Sequence, residues 1–230
     1  MKNIFLFAIT LFYLNVCAAQ ETIDKKNRLT DSVLERFWVL KTDKTIKEGP
    51  YTALFKRKIT IVKGNYANNK KVGVWHFYKP NGLLVQTYDY DKKALVFESE
   101  VDTMADFHYM IDVKLQPTDT VSRPVKIGGI YYGFIPYLNA FQLPFDTMGI
   151  NTDYFNAYIE LLISPLGQLA GYKVHLLSAL YNYNQVFSLD VHLFSDEDRQ
   201  FYPVTLNGEP IISRIIIQCY VTADGRLDFN

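Results

Sequence analysis

Gly64-Asn65-Tyr66-Ala67-Asn68-Asn69-Lys70-Lys71-Val72-Gly73-Val74-Trp75-His76-Phe77-Tyr78-Lys79-Pro80-Asn81-Gly82 is the stretch on which the fold turns. Its aromatic and aliphatic runs are cut by two pairs of turn residues, Asn68-Asn69 and Asn81-Gly82. Asn and Gly tolerate positive φ, and Asn-Gly between apolar runs is a strong hairpin signal. The stretch therefore predicts antiparallel strands. Upstream, Tyr51-Thr52-Ala53-Leu54-Phe55 and Ile59-Thr60-Ile61-Val62 carry the same texture back to about residue 48. Before that, residues 20–47 form a polar, charged N-terminal segment. There Asp31 could cap a short helix carrying Val33, Leu34 and Phe37.

The hairpins echo one another. Gly49-Pro50-Tyr51 returns as Gly64-Asn65-Tyr66, and Tyr88-Asp89-Tyr90-Asp91-Lys92-Lys93 is a weaker copy further on. Gly64, Tyr66, Gly73, Trp75, Tyr78, Asn81 and Gly82 carry a pattern that resembles the MORN repeat over about 48–98. One hairpin cannot bury an aromatic face by itself, so successive hairpins must stack. The rings read first as packing. A second reading is a structural protein that binds cell-wall or surface material, which requires Trp75, Tyr78 and Tyr88 exposed on one face.

A polar stretch around Gln116-Pro117-Thr118-Asp119 places a boundary near 117, dividing a hairpin region (48–116) from a C-terminal domain (117–230). Between Ser99 and that boundary, Phe107 to Leu115 can add a strand. Ile130, Phe134 and Leu138 have helical spacing, with Pro136 expected to kink or stop the helix. Ala157 to Ile163 is a strand, Ser164-Pro165-Leu166-Gly167 a turn, and Leu169 to Leu177 a second strand. In that strand Tyr172, Val174 and Leu176 share one face while Lys173 and His175 share the other. Asn184 could cap a helix carrying Val186, Phe187, Leu189 and Leu193, and Ile211 to Val221 is a long final strand. The expected class is α+β: an antiparallel hairpin region, then a two-layer domain in the order helix, strand, strand, helix, strand.

Pro124, Gly128, Gly129, Leu138, Pro144, Gly149, Ile150, Gly167, Pro203, Gly208 and Pro210 follow the punctuation of another family. In that order they resemble the C-terminal domain of TonB-type energy transducers. The resemblance implies a periplasmic domain that binds other envelope proteins, with strand addition at a sheet edge as the recognition mode. It points to the last strand, where Ile212, Arg214, Ile216, Gln218 and Tyr220 are the candidate partner-binding residues. The chain departs from the family in having few, scattered prolines in place of a proline-rich spacer, and residues 223–227 run past the family's usual end.

The N-terminus predicts export. Lys2 precedes an apolar run from Ile4 to Leu14, broken only by Thr10, which is too short for a membrane span of roughly 20 residues. Val16-Cys17-Ala18-Ala19 then supplies small residues before a polar segment, placing a cleavable signal peptide at 1–19 and a periplasmic or secreted product. Lipidation at Cys17 and an uncleaved anchor are the alternatives; Val16 is a poor residue before a lipidated cysteine. Cleavage after Ala19 leaves Cys219 alone, so no internal disulfide is expected. No transmembrane span is expected in the mature chain. Lys and Arg number 24, as do Asp and Glu, so no net positive charge favours nucleic acid.

Catalytic patterns are missing. His76, His108, His175 and His192 fall in no metal-ligand spacing, Gly128-Gly129 lacks the lysine of a phosphate loop, and no Gly-x-Ser-x-Gly elbow occurs. Asp196-Glu197-Asp198 reads as a solvated helix end, with calcium binding as the alternative, although the spacing of a calcium loop is missing. No cofactor is expected, and Cys219 reads as an inert core thiol. The function expected is thus a non-catalytic envelope interaction or adaptor module. A hydrolase built on two close carboxylates is the enzymatic alternative.

Overall fold

A computed structural model describes residues 21–99, 106–144 and 149–229. Residues 1–19, expected to form a signal peptide, lie outside these residues, Cys17 among them. Seven antiparallel strands follow one another in a meander: β1 (Thr22–Arg28), β2 (Val33–Leu40), β3 (Lys47–Phe55), β4 (Ile59–Ala67), β5 (Lys70–Tyr78), β6 (Leu84–Asp89) and β7 (Ala94–Glu98). The turn residues do what the sequence predicts. Asn68 and Asn69 take φ of 48° and 66° between β4 and β5, and Gly82 takes 86° between β5 and β6.

The rest of the chain supplies β8 (Phe107–Met110), β9 (Val125–Lys126), α1 (Ile135–Asn139), β10 (Asn156–Ile163), β11 (Leu169–Ser178), β12 (Tyr183–Leu189), β13 (Phe201–Tyr202), β14 (Val204–Leu206), β15 (Glu209–Ile211), β16 (Ser213–Val221) and β17 (Leu227–Asp228). A second antiparallel sheet runs β12-β11-β10-β16, with β8 and β17 sharing the far edge of β16. β9 pairs with β13, and β14 with β15.

The expected α+β class is overturned. Among the described residues strands take 53% and helices 7%, and α1 is the one α-helix. The helix expected from Asn184 is β12. There half-buried Tyr183, Phe187 and Leu189 share one face with exposed Gln185, and exposed Asn184, Val186 and Ser188 share the other, which is a period of two. Apolar residues at 186, 187, 189 and 193 fit a helical stripe only when the polar residues between them are ignored. The helix expected after Asp31 is β2, whose alternation buries Val33, Glu35 and Val39 between two partner strands. A helix that short is marginal alone, whereas β1 and β3 satisfy both backbone edges. Pro136 does not stop a helix but sits in the first turn of α1, where its missing N–H is not needed.

The two sheets enclose the segment 127–143. Ile130, Tyr131, Phe134, Ile135, Tyr137 and Leu138 are all buried. Up to the exposed Asn139 at its end, α1 is apolar because it has a sheet on each side. On the first sheet, Tyr132 stacks on Phe77 (6.0 Å between centroids) and its hydroxyl meets that of Tyr51 at 2.8 Å. On the second, Tyr172 donates from its hydroxyl to the carbonyl of Tyr137 at 2.6 Å. Each large side chain so buried contributes about 1.5–3 kcal/mol.

One core therefore spans both regions. The segment 20–47, expected to stand apart, contributes the first two strands of the first sheet, and β8, upstream of 117, belongs to the second.

Candidate functional site

The strand predicted to receive a partner is not an edge. β16 pairs with β10 from Ser213 to Tyr220 on one side. On the other it pairs with β8 at Arg214–Ile217 and with β17 at Tyr220 and Val221. Between those, the Gln218 N–H donates to the Asp106 carbonyl at 2.8 Å. Arg214, Ile216, Gln218 and Tyr220 share the half-exposed outer face, and Ile212 lies just before the strand. The long β-branched run marked a strand, but not its place in the sheet. Arg214 is tied down as well: it donates to Asp112 at 2.6 Å and lies 3.3 Å from Glu160, whose other oxygen meets His175 at 2.7 Å.

The edge of the second sheet opposite β8 and β17 is β12. It pairs with β11 in unbroken register from Tyr183 to Leu189, and no strand among the described residues pairs with its other side. In an antiparallel ladder alternate residues turn N–H and C=O outward, so β12 presents a row of backbone donors and acceptors. Edges are usually blunted by charge, proline, bulges or short length. Tyr183-Asn184-Gln185-Val186-Phe187-Ser188-Leu189 has no charge and no proline, and its register shows no bulge. Val186 is 50% exposed. On the inner face Phe187 packs on Phe141 at 5.4 Å.

The edges of the first sheet differ. β1 carries Asp24, Lys25, Lys26 and Arg28. β7 has five residues, a register break against β6, and charge at both ends from Lys92, Lys93 and Glu98. The signal that would have located the open edge was the period-two pattern of 183–189 combined with its missing charges.

A cleft of about 400 Å³ is lined by Tyr66, Lys71, Tyr132, Ser195, Glu197 and Asp198 among others. Glu197 is its hub. Lys71 reaches its carboxylate at 2.5 Å, and the Tyr90 hydroxyl donates to it at 2.7 Å. Burial works to raise the Glu197 pKa, but the Lys71 ammonium and the Tyr90 phenol outweigh it and hold the carboxyl below its ordinary range. Behind it Lys126, 4% exposed, donates to the carbonyls of Glu197 (2.8 Å) and Gln200 (3.2 Å) and lies over the Phe201 ring. Burial lowers its pKa to about 8. Burial likewise raises the phenols of Tyr66, Tyr90 and Tyr132, so they remain neutral donors at physiological pH. These groups answer one another and form a clasp between the sheets. The expected solvated helix end at Glu197 is instead a partly buried turn, and its partners Lys71 and Tyr90, more than 100 residues away, leave no mark in the local pattern.

The remaining candidates fall outside any site. Trp75 and Tyr88 are 0% and 6% exposed, so with Tyr78 they form no exposed platform for cell-wall material. Cys219 is buried, and burial pushes its thiol pKa well up, away from thiolate chemistry. No group of three His, Cys, Asp or Glu among the described residues is placed to hold a metal ion. No helix among the described residues is long and apolar enough to cross a membrane.

No family model, curated protein or solved structure matches the chain. Neither the MORN-like nor the TonB-like punctuation finds support there.

Proposed function

We propose that the protein is a non-catalytic interaction module of the bacterial envelope that takes up an extended segment of a polypeptide along β12. The observation that carries this reading is the strand itself: seven residues, uncharged, free of proline, regular in register and unpaired along its outer side among the described residues. Strand addition supplies main-chain hydrogen bonds, and alternate side chains of the added strand meet the two faces of the sheet. On one face they would meet Phe187 and Leu189; on the other, Asn184, Val186 and Ser188.

The non-catalytic reading rests on the polar clusters, which are paired into the structure rather than poised toward a ligand. Glu197, Lys71 and Tyr90 bind one another, as do Glu160, His175, Arg214 and Asp112. Periplasmic or secreted placement rests on the apolar run and small-residue site of residues 4–19.

The test is a photoreactive residue at position 186, compared with one at position 25 on β1, in cells producing the protein. A crosslink from 186 alone to a defined strand of a polypeptide, repeated with purified components, is the expected result. Equal crosslinking from both positions, or none from 186, overturns the reading. N-terminal sequencing of the same protein checks export, with Gln20 as the expected first residue.

A further inference from the structure

The geometry points to a second copy of this chain as the occupant of the β12 edge, the two copies joining their second sheets across a two-fold axis at Val186. This inference rests on the strand-addition reading above and names its partner.

β12 is complementary to itself. Antiparallel pairing about Val186 sets Tyr183 opposite Leu189, Asn184 opposite Ser188 and Gln185 opposite Phe187, with Val186 facing its own copy. Residues opposite each other in an antiparallel pair lie on the same face of the sheet. On the outer face the polar residues Asn184 and Ser188 therefore meet across the junction, flanking a Val–Val contact. On the inner face Tyr183, Leu189 and Phe187 extend the apolar row that begins at Phe141. A two-fold junction needs a self-complementary surface; here the exception is Gln185, which lies on the inner face and meets Phe187.

Charge gives the second argument. An edge meeting its own copy about a two-fold axis sets its central residue opposite itself, so a charge there meets a like charge, and like charges directly opposite are destabilising. β12 has none from Tyr183 to Leu189, and the first acidic residue beyond, Asp190, falls opposite Asn182 in this register. β1 fails the same comparison. Pairing it with its copy about its midpoint, Lys25, sets two lysines face to face. The side chains of Asn184, Val186 and Ser188 take no part in hydrogen bonding within the described chain, and the strand's backbone bonds go to β11.

The experiment uses the protein as the cell processes it, purified and weighed by light scattering over a range of concentrations. The wild type is expected at twice the monomer mass. Val186→Lys sets two ammonium groups on the axis and is expected at the monomer mass, with an unchanged circular dichroism spectrum. Val186→Cys is expected to form a covalent dimer under mild oxidant, because the new thiol meets its copy, whereas Lys25→Cys is not. The native Cys219 is buried and does not confuse the readout.

A wild-type protein that stays monomeric overturns the inference. So does a dimer that survives Val186→Lys, or one that Val186→Cys fails to crosslink. If the chain is monomeric yet position 186 crosslinks to a different protein, strand addition stands and only the second copy is excluded. If it is monomeric and 186 crosslinks to nothing, both readings fall.

Discussion

A Cβ added at Gly64 would lie 2.1 Å from Cδ2 of Trp75. The indole lies flat against the glycine, stacks on Tyr51 at 5.2 Å, and donates from Nε1 to the carbonyls of Asn65 (3.3 Å) and Val72 (3.2 Å). It cannot retreat without giving up those contacts. Gly64→Ala is therefore expected to destabilise by about 1–3 kcal/mol, the usual range for overpacking a filled core. The drop should appear in the urea midpoint followed by tryptophan fluorescence. Lys126 is the second telling residue. Its folded-state pKa of about 8 lies below the ordinary 10.5. Below pH 8 the lysine is charged in both states and the cost of its burial is carried in full. Between 8 and 10 the unfolded chain holds more of this proton, so stability rises with pH, by at most about 1.4 kcal/mol per unit. Asp198 and Glu197 favour the charged form and Lys71 opposes it, so all three set where the rise begins. Above pH 10 the sign reverses. Tyr66, Tyr90 and Tyr132 have raised phenol pKa values, so the unfolded chain loses those protons first. Urea midpoints measured against pH should climb and then fall for the wild type. Lys126→Met should lose the climb and keep the fall.

Hairpins and edges are the elements that matter. Asn68 and Asn69 both sit at positive φ, and the Asn69 side chain also accepts from the Lys47 N–H at 2.7 Å. Asn69→Ala loses the residue type suited to that conformation together with a cross-strand bond, and is expected to cost on the order of 1–2 kcal/mol. Asn69→Gly keeps the backbone freedom and should cost less; thermal unfolding of the two variants gives the comparison. The edges show what pattern reading can and cannot reach. Residues 211–221 announce a strand through their β-branched side chains. Which side of that strand is covered depends on β8, about 100 residues upstream, and on β17, which folds back from beyond it. Residues 183–189 carried the opposite error. Their period of two was legible, but an N-cap asparagine and four apolar residues at nearly helical spacing competed with it. Pairing with β11 decided for the strand, because seven residues beside an existing ladder gain hydrogen bonds that an isolated two-turn helix cannot match.

At the scale of the molecule, Gln86 holds the sheets together. It is fully buried on β6, and its Oε1 accepts from the N–H groups of Gly128 (2.7 Å) and Gly129 (3.0 Å). Its Nε2 donates to the Lys126 carbonyl (2.9 Å) and to Glu98 (2.7 Å). Gly128 and Gly129 have φ of 110° and 70°, which is why this pair of residues, read from sequence as punctuation, must be glycine. Gln86→Leu strands two buried N–H groups and is expected to cost about 3 kcal/mol or more. Since the core runs through both sheets, unfolding should be a single transition, with tryptophan fluorescence from the first sheet and far-ultraviolet dichroism from the whole chain coinciding. A fragment ending at residue 116 exposes the aromatic face that covers Tyr132 and should not fold alone, which proteolysis and amide dispersion will show.

What the sequence determined by itself was local: where the hairpins turn and which runs form their strands. Those features depend on near neighbours, on the φ that Asn and Gly tolerate, and on the alternation of side chains along a strand. Tertiary structure decided the rest. It closed both edges of β16, left β12 open, and moved residues 20–47 into the first sheet. It also turned Glu197 from a surface acid into the hub of a clasp with Lys71 and Tyr90. Each of these outcomes rests on pairing between residues far apart in the chain, where burial and hydrogen bonding depend on which segments meet, and a pattern read along the sequence holds no record of that meeting.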